Sequence, residues 1–183
     1  MKRFEVDKIR RDARSMGMHI KGDFLIASRT ADVVSGIAVD AAPSSIYLWI
    51  FVLPTYDDHS FLHMSLGHRV ATCKGAGDCL SEAYGAYSQK LDGVASAKNL
   101  LAYIDSERIV SEYGMWVKYI SYIRTGDALA ASHMLEELLL PSVPRLIRQR
   151  VERVNSSVLA GGIVAAQSLL EEWCCRTREL LGN

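Results

Sequence analysis

The stretch Gly75-Ala76-Gly77 separates two parts of the chain that differ in hydrophobic periodicity, and this change decides the fold class. From Asp23 to Val70, short β-branched and aromatic runs alternate with turn residues, which is typical of strands. After the glycine stretch, nearly the whole chain has a helical period. The sequence therefore predicts an α+β fold. An amino-terminal helix and a roughly four-stranded antiparallel sheet should precede about five or six helices.

The first part of the chain, residues 1–74, should begin with an amphipathic helix over residues 4–16. Apolar residues recur there at spacings of three and four, from Val6 to Met16, and Gly17 suits the end of such a helix. The links between the following strands are too short for crossover helices, so the strands should form an antiparallel meander. The predicted strands are 23–28, 33–40, 45–53 and 61–70.

The strand predicted at 45–53 is apolar on both faces, whereas a strand with one wet face alternates apolar and polar residues. It is therefore covered on both sides, or its aromatic face, which carries Trp49, meets a partner. One helix cannot cover both faces of a small sheet. We therefore expect the helical part, residues 78–183, to pack on the sheet as one unit, with the glycine stretch as a bend.

The helical part contains a predicted antiparallel hairpin at 107–140. Two stripes of apolar residues at helical spacing flank the turn Gly126-Asp127, and Pro141 ends the second helix. A further helix should begin near Pro144 and break or kink at Gly161-Gly162, before a last helix to Leu181. Residues 78–105 should form two short helices. The hairpin pattern does not recur at a fixed period, so a repeat solenoid is excluded.

Composition places the chain among ordinary globular proteins, since 49% of its 183 residues are hydrophobic and 23% are charged. The 21 basic and 21 acidic residues balance, which disfavours nucleic acid as a partner. No purely apolar run reaches the roughly 18–20 residues that cross a bilayer, and the start of the chain is charged at once. We expect a cytoplasmic protein without a membrane segment. The four cysteines should then be free thiols.

The densest group of reactive side chains follows the third predicted strand. Asp57 or Asp58 could orient His59 as a general base, with His63 nearby on the next strand. The alternative, which we favour, is a polar hairpin loop whose aspartates cap backbone amides. His63 and His68 would face opposite sides of a strand, and no paired-cysteine motif is present, so we expect no metal and no cofactor.

Other candidate sites have simpler structural explanations. The glycine stretch could cradle a phosphate, but no strand-loop-helix crossover surrounds it, and Asp78 is better placed as a helix N-cap. The basic cluster near 145–153 could bind a partner or form a solvated helix face. The candidate binding residues are Trp49, Tyr56, Arg145, Arg148 and Arg153.

The segments Phe-Leu-Ile-Ala-Ser-Arg (24–29), Ile-Ala-Val-Asp (37–40) and Tyr-Leu-Trp-Ile-Phe-Val-Leu-Pro (47–54), placed after a helix and a glycine, carry a resemblance to known proteins. Their layout over residues 4–70 resembles a group of uncharacterised bacterial proteins of the polymorphic-toxin immunity and antiviral defence-associated kind. The resemblance implies a cytoplasmic bacterial protein that works by binding, and it carries over no catalytic residue.

The hypothesis that these patterns favour is a non-enzymatic protein-interaction module, with another protein as its partner and homo-oligomers possible. Aromatic residues are enriched at interfaces, although they also fill cores. The alternative is a small hydrolase or transferase that uses Asp57, Asp58 and His59 in a pocket between the sheet and the helices. Nucleic-acid binding through the basic clusters is a third hypothesis.

Overall fold

The computed structural model describes residues 2–73 and 78–182 and confirms the predicted α+β arrangement. Its sheet is an antiparallel meander of five strands, ordered β1-β2-β3-β4-β5. The glycine stretch 75–77 lies outside the described residues. The elements are α1 (Lys2–Ser15), β1 (His19–Lys21), β2 (Phe24–Arg29), β3 (Val33–Ala41), β4 (Ile46–Pro54), β5 (His68–Cys73), α2 (Cys79–Leu91), α3 (Ala97–Ser106), α4 (Glu112–Thr125), α5 (Ala128–Leu138) and α6 (Arg145–Leu181).

Two details of the predicted sheet differ from the structure. Strand β1 is only three residues long, too short to produce a period-two pattern, and was not predicted. The last strand runs from His68 to Cys73 rather than over 61–70. Leu62 and Leu66 are buried as their alternation suggested, but they belong to the irregular segment before β5. Apolar residues at every second position, Leu62, Met64 and Leu66, therefore imitated a strand there, although Met64 between the two buried leucines is only partly buried.

The chain divides into two compact units, and the first, the sheet unit, comprises Met1–Leu53 and Leu62–Ala95. Helix α1 buries Val6, Ile9 and Ala13, as predicted, but Met16, predicted on the same face, follows the helix and is 38% exposed. The chain turns there through Gly17 at a φ of 81°. Helix α2 packs against β3 and β5. The side chain of Asp78 accepts a hydrogen bond from the backbone N–H of Ser81, which confirms the predicted N-cap of α2.

The cysteines correct one prediction. Cys73 and Cys79 form a disulfide between the end of β5 and the start of α2, so the expectation of free thiols is wrong for this pair. Cys174 and Cys175 are free, the first buried and the second exposed, as expected. Sequence spacing could not decide the pairing, because two cysteines bond only when the fold brings their Cα atoms within about 7 Å.

The second compact unit, the helical unit, comprises Pro54–Phe61 and Ser96–Asn183. Its helices α4 and α5 form the predicted antiparallel hairpin. Gly126 ends α4 in the left-handed conformation, and the side chain of Asp127 caps α5 by accepting from the backbone N–H of Ala130. The prediction that the sheet and the helical part pack as one unit stays a prediction.

Helix α6 is bent at Gly161 and Gly162, whose φ and ψ angles are not helical, as the sequence predicted. A straight helix would separate residues 153 and 173 by about 30 Å. The guanidinium carbon of Arg153 instead lies 5.6 Å from the ring centre of Trp173. The arms 145–160 and 163–181 therefore fold back on each other as a helical hairpin.

Length and composition alone would allow α6 to cross a membrane, and it is the one helix of the described residues that qualifies. This corrects the expectation that no segment would qualify. That expectation considered only uninterrupted apolar runs, whereas the mean hydropathy of a helix can be high although polar residues interrupt the apolar ones. The bend at the middle of this stretch divides it into two shorter arms. We therefore describe α6 as a hairpin of the helical unit.

Candidate functional site

The loop after β4 is unusually buried for a connection between elements, since loops normally run over the surface. Thr55, Tyr56 and Asp57 are at most 1% exposed, and His59 is 7% exposed. The hydroxyl groups of Tyr56 and Ser121 lie 2.7 Å apart and form a buried hydrogen bond. The loop is therefore part of the core of the helical unit, and Tyr56 contributes to packing rather than to an exposed surface.

The carboxylate of Asp57 is the centre of a buried hydrogen-bond network. Its Oδ1 atom accepts from Trp116 Nε1 at 3.1 Å and from Arg150 Nη1 at 3.0 Å. The same atom also accepts from the backbone N–H of Asp58 at 2.7 Å. Its Oδ2 atom accepts from the hydroxyl of Tyr113 at 3.0 Å. Both oxygens of this buried anion are therefore engaged by donors of the same unit.

Tyr113 is kept as a donor by its surroundings. Burial, followed by the negative charge of Asp57 and the hydrogen bond to it, raises the pKa of Tyr113 well above its usual value, against a smaller opposing effect of Arg150. A phenol that stays protonated can continue to donate to the carboxylate. The hydroxyl of Tyr113 therefore remains protonated at physiological pH.

His59 lies beside Asp57 without forming the hydrogen bond that orients a general base. Its Nε2 atom is 2.8 Å from the backbone oxygen of Pro54. A carbonyl oxygen only accepts, so Nε2 carries a proton. Its Nδ1 atom is 3.7 Å from Asp57 Oδ2, beyond the usual hydrogen-bond range of about 2.7–3.2 Å. His63 belongs to the sheet unit, where its Nδ1 accepts from the backbone N–H of Ser65.

Asp58 lies at the edge of an open recess of about 500 Å³, which we call the arginine recess. Its carboxylate is 3.0 Å from Arg176 Nη2 and 3.6 Å from Arg153 Nη1. The guanidinium of Arg150 reaches the same place and donates to the backbone oxygen of Asp58 at 2.7 Å. The recess is lined by Asp58, His59, Ser60, Leu146, Gln149, Arg150, Arg153 and Arg176.

Among the arginines predicted to bind, only Arg153 lines the recess. Arg145 is exposed elsewhere on the first arm, and Arg148 donates to the backbone oxygen of Val143 at 3.1 Å. Arg176 was missed, because it lies on the second arm of α6. Its approach to Arg153 depends on the bend at Gly161-Gly162, which was the one signal in the sequence that could have suggested it.

A second recess of the helical unit is an apolar cleft of about 330 Å³ between α4, α5 and the bend of α6. We call residues 155–165 of α6 the α6 tip. Four of them, Asn155, Val158, Gly162 and Ile163, line the cleft. The remaining lining residues are Tyr119, Ile123, Ala128, Ala131, Ser132 and Leu135.

Trp49, the other predicted binding residue, is half-buried on β4 of the sheet unit. Its Nε1 atom is buried and has no hydrogen-bond partner among the described residues.

No family model matches the chain, and comparisons with curated proteins and with solved structures found no similar protein. The two recesses and the α6 tip are therefore the features on which a function can be argued.

Proposed function

We propose that the protein is a non-enzymatic interaction module whose contact surface is the α6 tip. The observation that carries this proposal is the exposure of the tip. None of the residues 155–165 is buried, and none is charged. Leu159 and Val164 are 80% and 68% exposed.

Such a surface is unusual on a solvated helix, which normally carries charged side chains away from the core. The uncharged stretch extends from Val154 to Leu170, between Arg153 and Glu171. Single exposed apolar residues are common, but a contiguous apolar patch marks an interaction site. Leu129 on α5, which follows the cleft-lining Ala128 in sequence, is a further exposed apolar residue of the helical unit, at 69%.

The occupant that best suits the tip is a second copy of the chain. Leu159 and Val164 have exposed side chains, and each directly follows a residue that lines the apolar cleft, Val158 or Ile163. A two-fold interface requires one surface to complement itself, and this surface offers both projections and a cavity. The balanced charge of 21 basic and 21 acidic residues places no net repulsion between two copies. A tip of this size predicts a weak dimer, with a dissociation constant of about 1–100 µM.

Sedimentation velocity over a concentration series tests the proposal. We expect the wild-type protein to dimerise, and Leu159→Asp to weaken dimerisation at least about tenfold, because a buried unpaired charge is costly. Val110→Asp is the matched control, since Val110 is 86% exposed in the helical unit but outside the tip. A wild-type protein that stays monomeric to about 100 µM would contradict the proposal.

One observation favours the alternative of a small hydrolase or transferase, because the arginine recess opens beside Asp58 and His59. The engaged oxygens of Asp57 and the 3.7 Å separation from His59 Nδ1 count against proton transfer by this pair. Catalysis by the loop predicts that His59→Gln abolishes a cellular function without unfolding the protein. An unchanged phenotype in that variant would contradict catalysis by the loop and favour the interaction module. Participation in bacterial immunity or defence is proposed from the resemblance alone.

A further inference from the structure

We propose that the arginine recess binds a phosphate-type dianion. When no ligand is bound, the Asp58 carboxylate occupies the position of this anion. The inference is independent of the α6 tip, and its failure would leave the interaction module untouched.

The charges in the recess do not balance. Asp57 is fully buried and pairs with Arg150. Asp58 then supplies one negative charge to both Arg153 and Arg176. Its distance of 3.6 Å to Arg153 is beyond hydrogen-bond range, and neither of these two arginines has another acidic partner in the part of the chain that the structure describes. One positive charge is therefore left without a counterion from the loop.

Two of the three guanidinium groups are held in position before any ligand arrives. Arg150 donates to the Asp57 carboxylate and to the backbone oxygen of Asp58. Arg153 lies over the ring of Trp173, which is completely buried. A preorganised binding site loses little side-chain entropy when its ligand binds, so this rigidity favours recognition of a small anion.

The exposure of the arginines increases from the floor of the recess to its mouth. The side chain of Arg150 is 17% exposed, whereas those of Arg176 and Arg153 are 46% and 51% exposed. An anion can therefore reach the two outer guanidinium groups directly from solvent. Ser60 and Gln149 also line the recess and offer neutral donors.

Asp58 can leave the arginines without a change in the backbone. Its N–H donates to the Asp57 carboxylate and its carbonyl accepts from Arg150, so the backbone is fixed on both sides. Its side chain is 29% exposed and can rotate toward solvent. A monocarboxylate would replace Asp58 without a gain in charge. A phosphate group carries about 1.5–2 negative charges and at least three acceptor oxygens, which match two guanidinium forks.

Isothermal titration calorimetry with inorganic phosphate, and with acetate as the monocarboxylate, tests this inference on the full chain. We expect phosphate to bind with a dissociation constant of about 1–10 mM and acetate at least about tenfold more weakly. Arg176→Gln should weaken phosphate binding at least about tenfold. Asp58→Asn should strengthen it several-fold, because the internal competitor is removed.

The matched control is Arg178→Gln, since Arg178 lies on the same arm, pairs with Glu171 and does not line the recess. Its phosphate affinity should equal that of the wild type. The opposite signs expected for Arg176→Gln and Asp58→Asn cannot both arise from loss of folding. Equal affinities for phosphate and acetate, or weaker phosphate binding by Asp58→Asn, would overturn the inference.

Discussion

Asp57 connects several elements of the helical unit. Its carboxylate joins α4 through Tyr113 and Trp116 and the first arm of α6 through Arg150. Its backbone oxygen accepts from the hydroxyl of Thr177, on the second arm, at 3.3 Å. A single acidic residue therefore ties the loop to both arms of the α6 hairpin.

Asp57→Asn should lower the free energy of unfolding by about 3–5 kcal/mol, because it leaves the guanidinium of Arg150 without its buried counterion. Urea denaturation of the two proteins measures the difference. The control is Asp105→Asn, whose 2.7 Å pair with Lys118 is exposed in the same unit and should contribute at most about 1 kcal/mol. Similar small effects for both variants would show that the Asp57 network is not a stabilising centre.

Buried tyrosines should make the stability of the protein fall at alkaline pH. Burial raises the pKa of Tyr119 to about 12, and burial with the charge of Glu107 raises the pKa of Tyr103 to about 12. Phenols of the unfolded chain titrate near pH 10, so above that pH the unfolded chain loses protons that the folded protein retains. This contribution to stability is complete below about pH 10 and is lost progressively up to about pH 12.

Urea denaturation at about pH 9, 10 and 11 measures this decline. Tyr119→Phe removes one titrating phenol and should make the decline shallower, while at neutral pH it tests only the lost hydroxyl. A variant that declines as steeply as the wild type would indicate that Tyr119 titrates normally in the folded protein.

The bend of α6 creates both recesses of the helical unit. It brings Arg176 to Arg153 and Asp58, and it exposes the tip between the arms. The bend rests on Gly162, whose φ of 71° and ψ of −170° lie in a region that residues with a Cβ atom avoid.

Gly162→Ala should therefore destabilise the protein by about 1–3 kcal/mol, as measured by thermal or urea unfolding. Gly85→Ala is the control, because Gly85 lies inside the regular helix α2 and an added Cβ would meet no atom within 4 Å. Alanine at that position should stabilise the protein by about 0.5–1 kcal/mol, since it restricts the unfolded chain. Equal effects of the two substitutions would contradict a special role of the bend.

The disulfide between Cys73 and Cys79 conflicts with the cytoplasmic location that the sequence led us to expect. Thiols are kept reduced in most cytoplasms, and persistent disulfides belong to oxidising compartments. The expected location therefore predicts that Cys73 and Cys79 are reduced in the native cell. The structure shows that they are close enough to bond when conditions are oxidising.

Rapid acid quenching of cells, followed by alkylation and mass spectrometry, measures the state of the pair. A cytoplasmic protein should show both cysteines alkylated, with Cys175 as an exposed internal reference. A mostly oxidised pair would argue against the cytoplasm.

The disulfide closes a short loop, since its two cysteines are separated by 6 positions in the sequence. It should therefore add about 2 kcal/mol to the free energy of unfolding of the purified protein. Cys79→Ser removes this addition.

The sequence predicted local features well because local residues cause them. The turn at Gly126-Asp127 and the bend at Gly161-Gly162 follow from glycine's access to backbone angles that other residues avoid. The candidate loop was also found from local composition, as a cluster of two aspartates and a histidine. Its burial was not predicted, because Tyr113 and Arg150, which hold Asp57, lie 56 and 93 positions later in the chain.

The sequence by itself thus determined the fold class, the order of the elements after β1, the hairpin turn at Gly126-Asp127 and the break at Gly161-Gly162, since periodicity and turn chemistry act over a few residues. Only the tertiary structure decided that Asp57 is a buried centre, that Arg153 and Arg176 share Asp58, and that Cys73 bonds to Cys79. The physical reason is that charge neutralisation and disulfide bonding depend on distances through space. Residue spacing along the chain does not give those distances until the arms of α6 and the ends of β5 and α2 are in place.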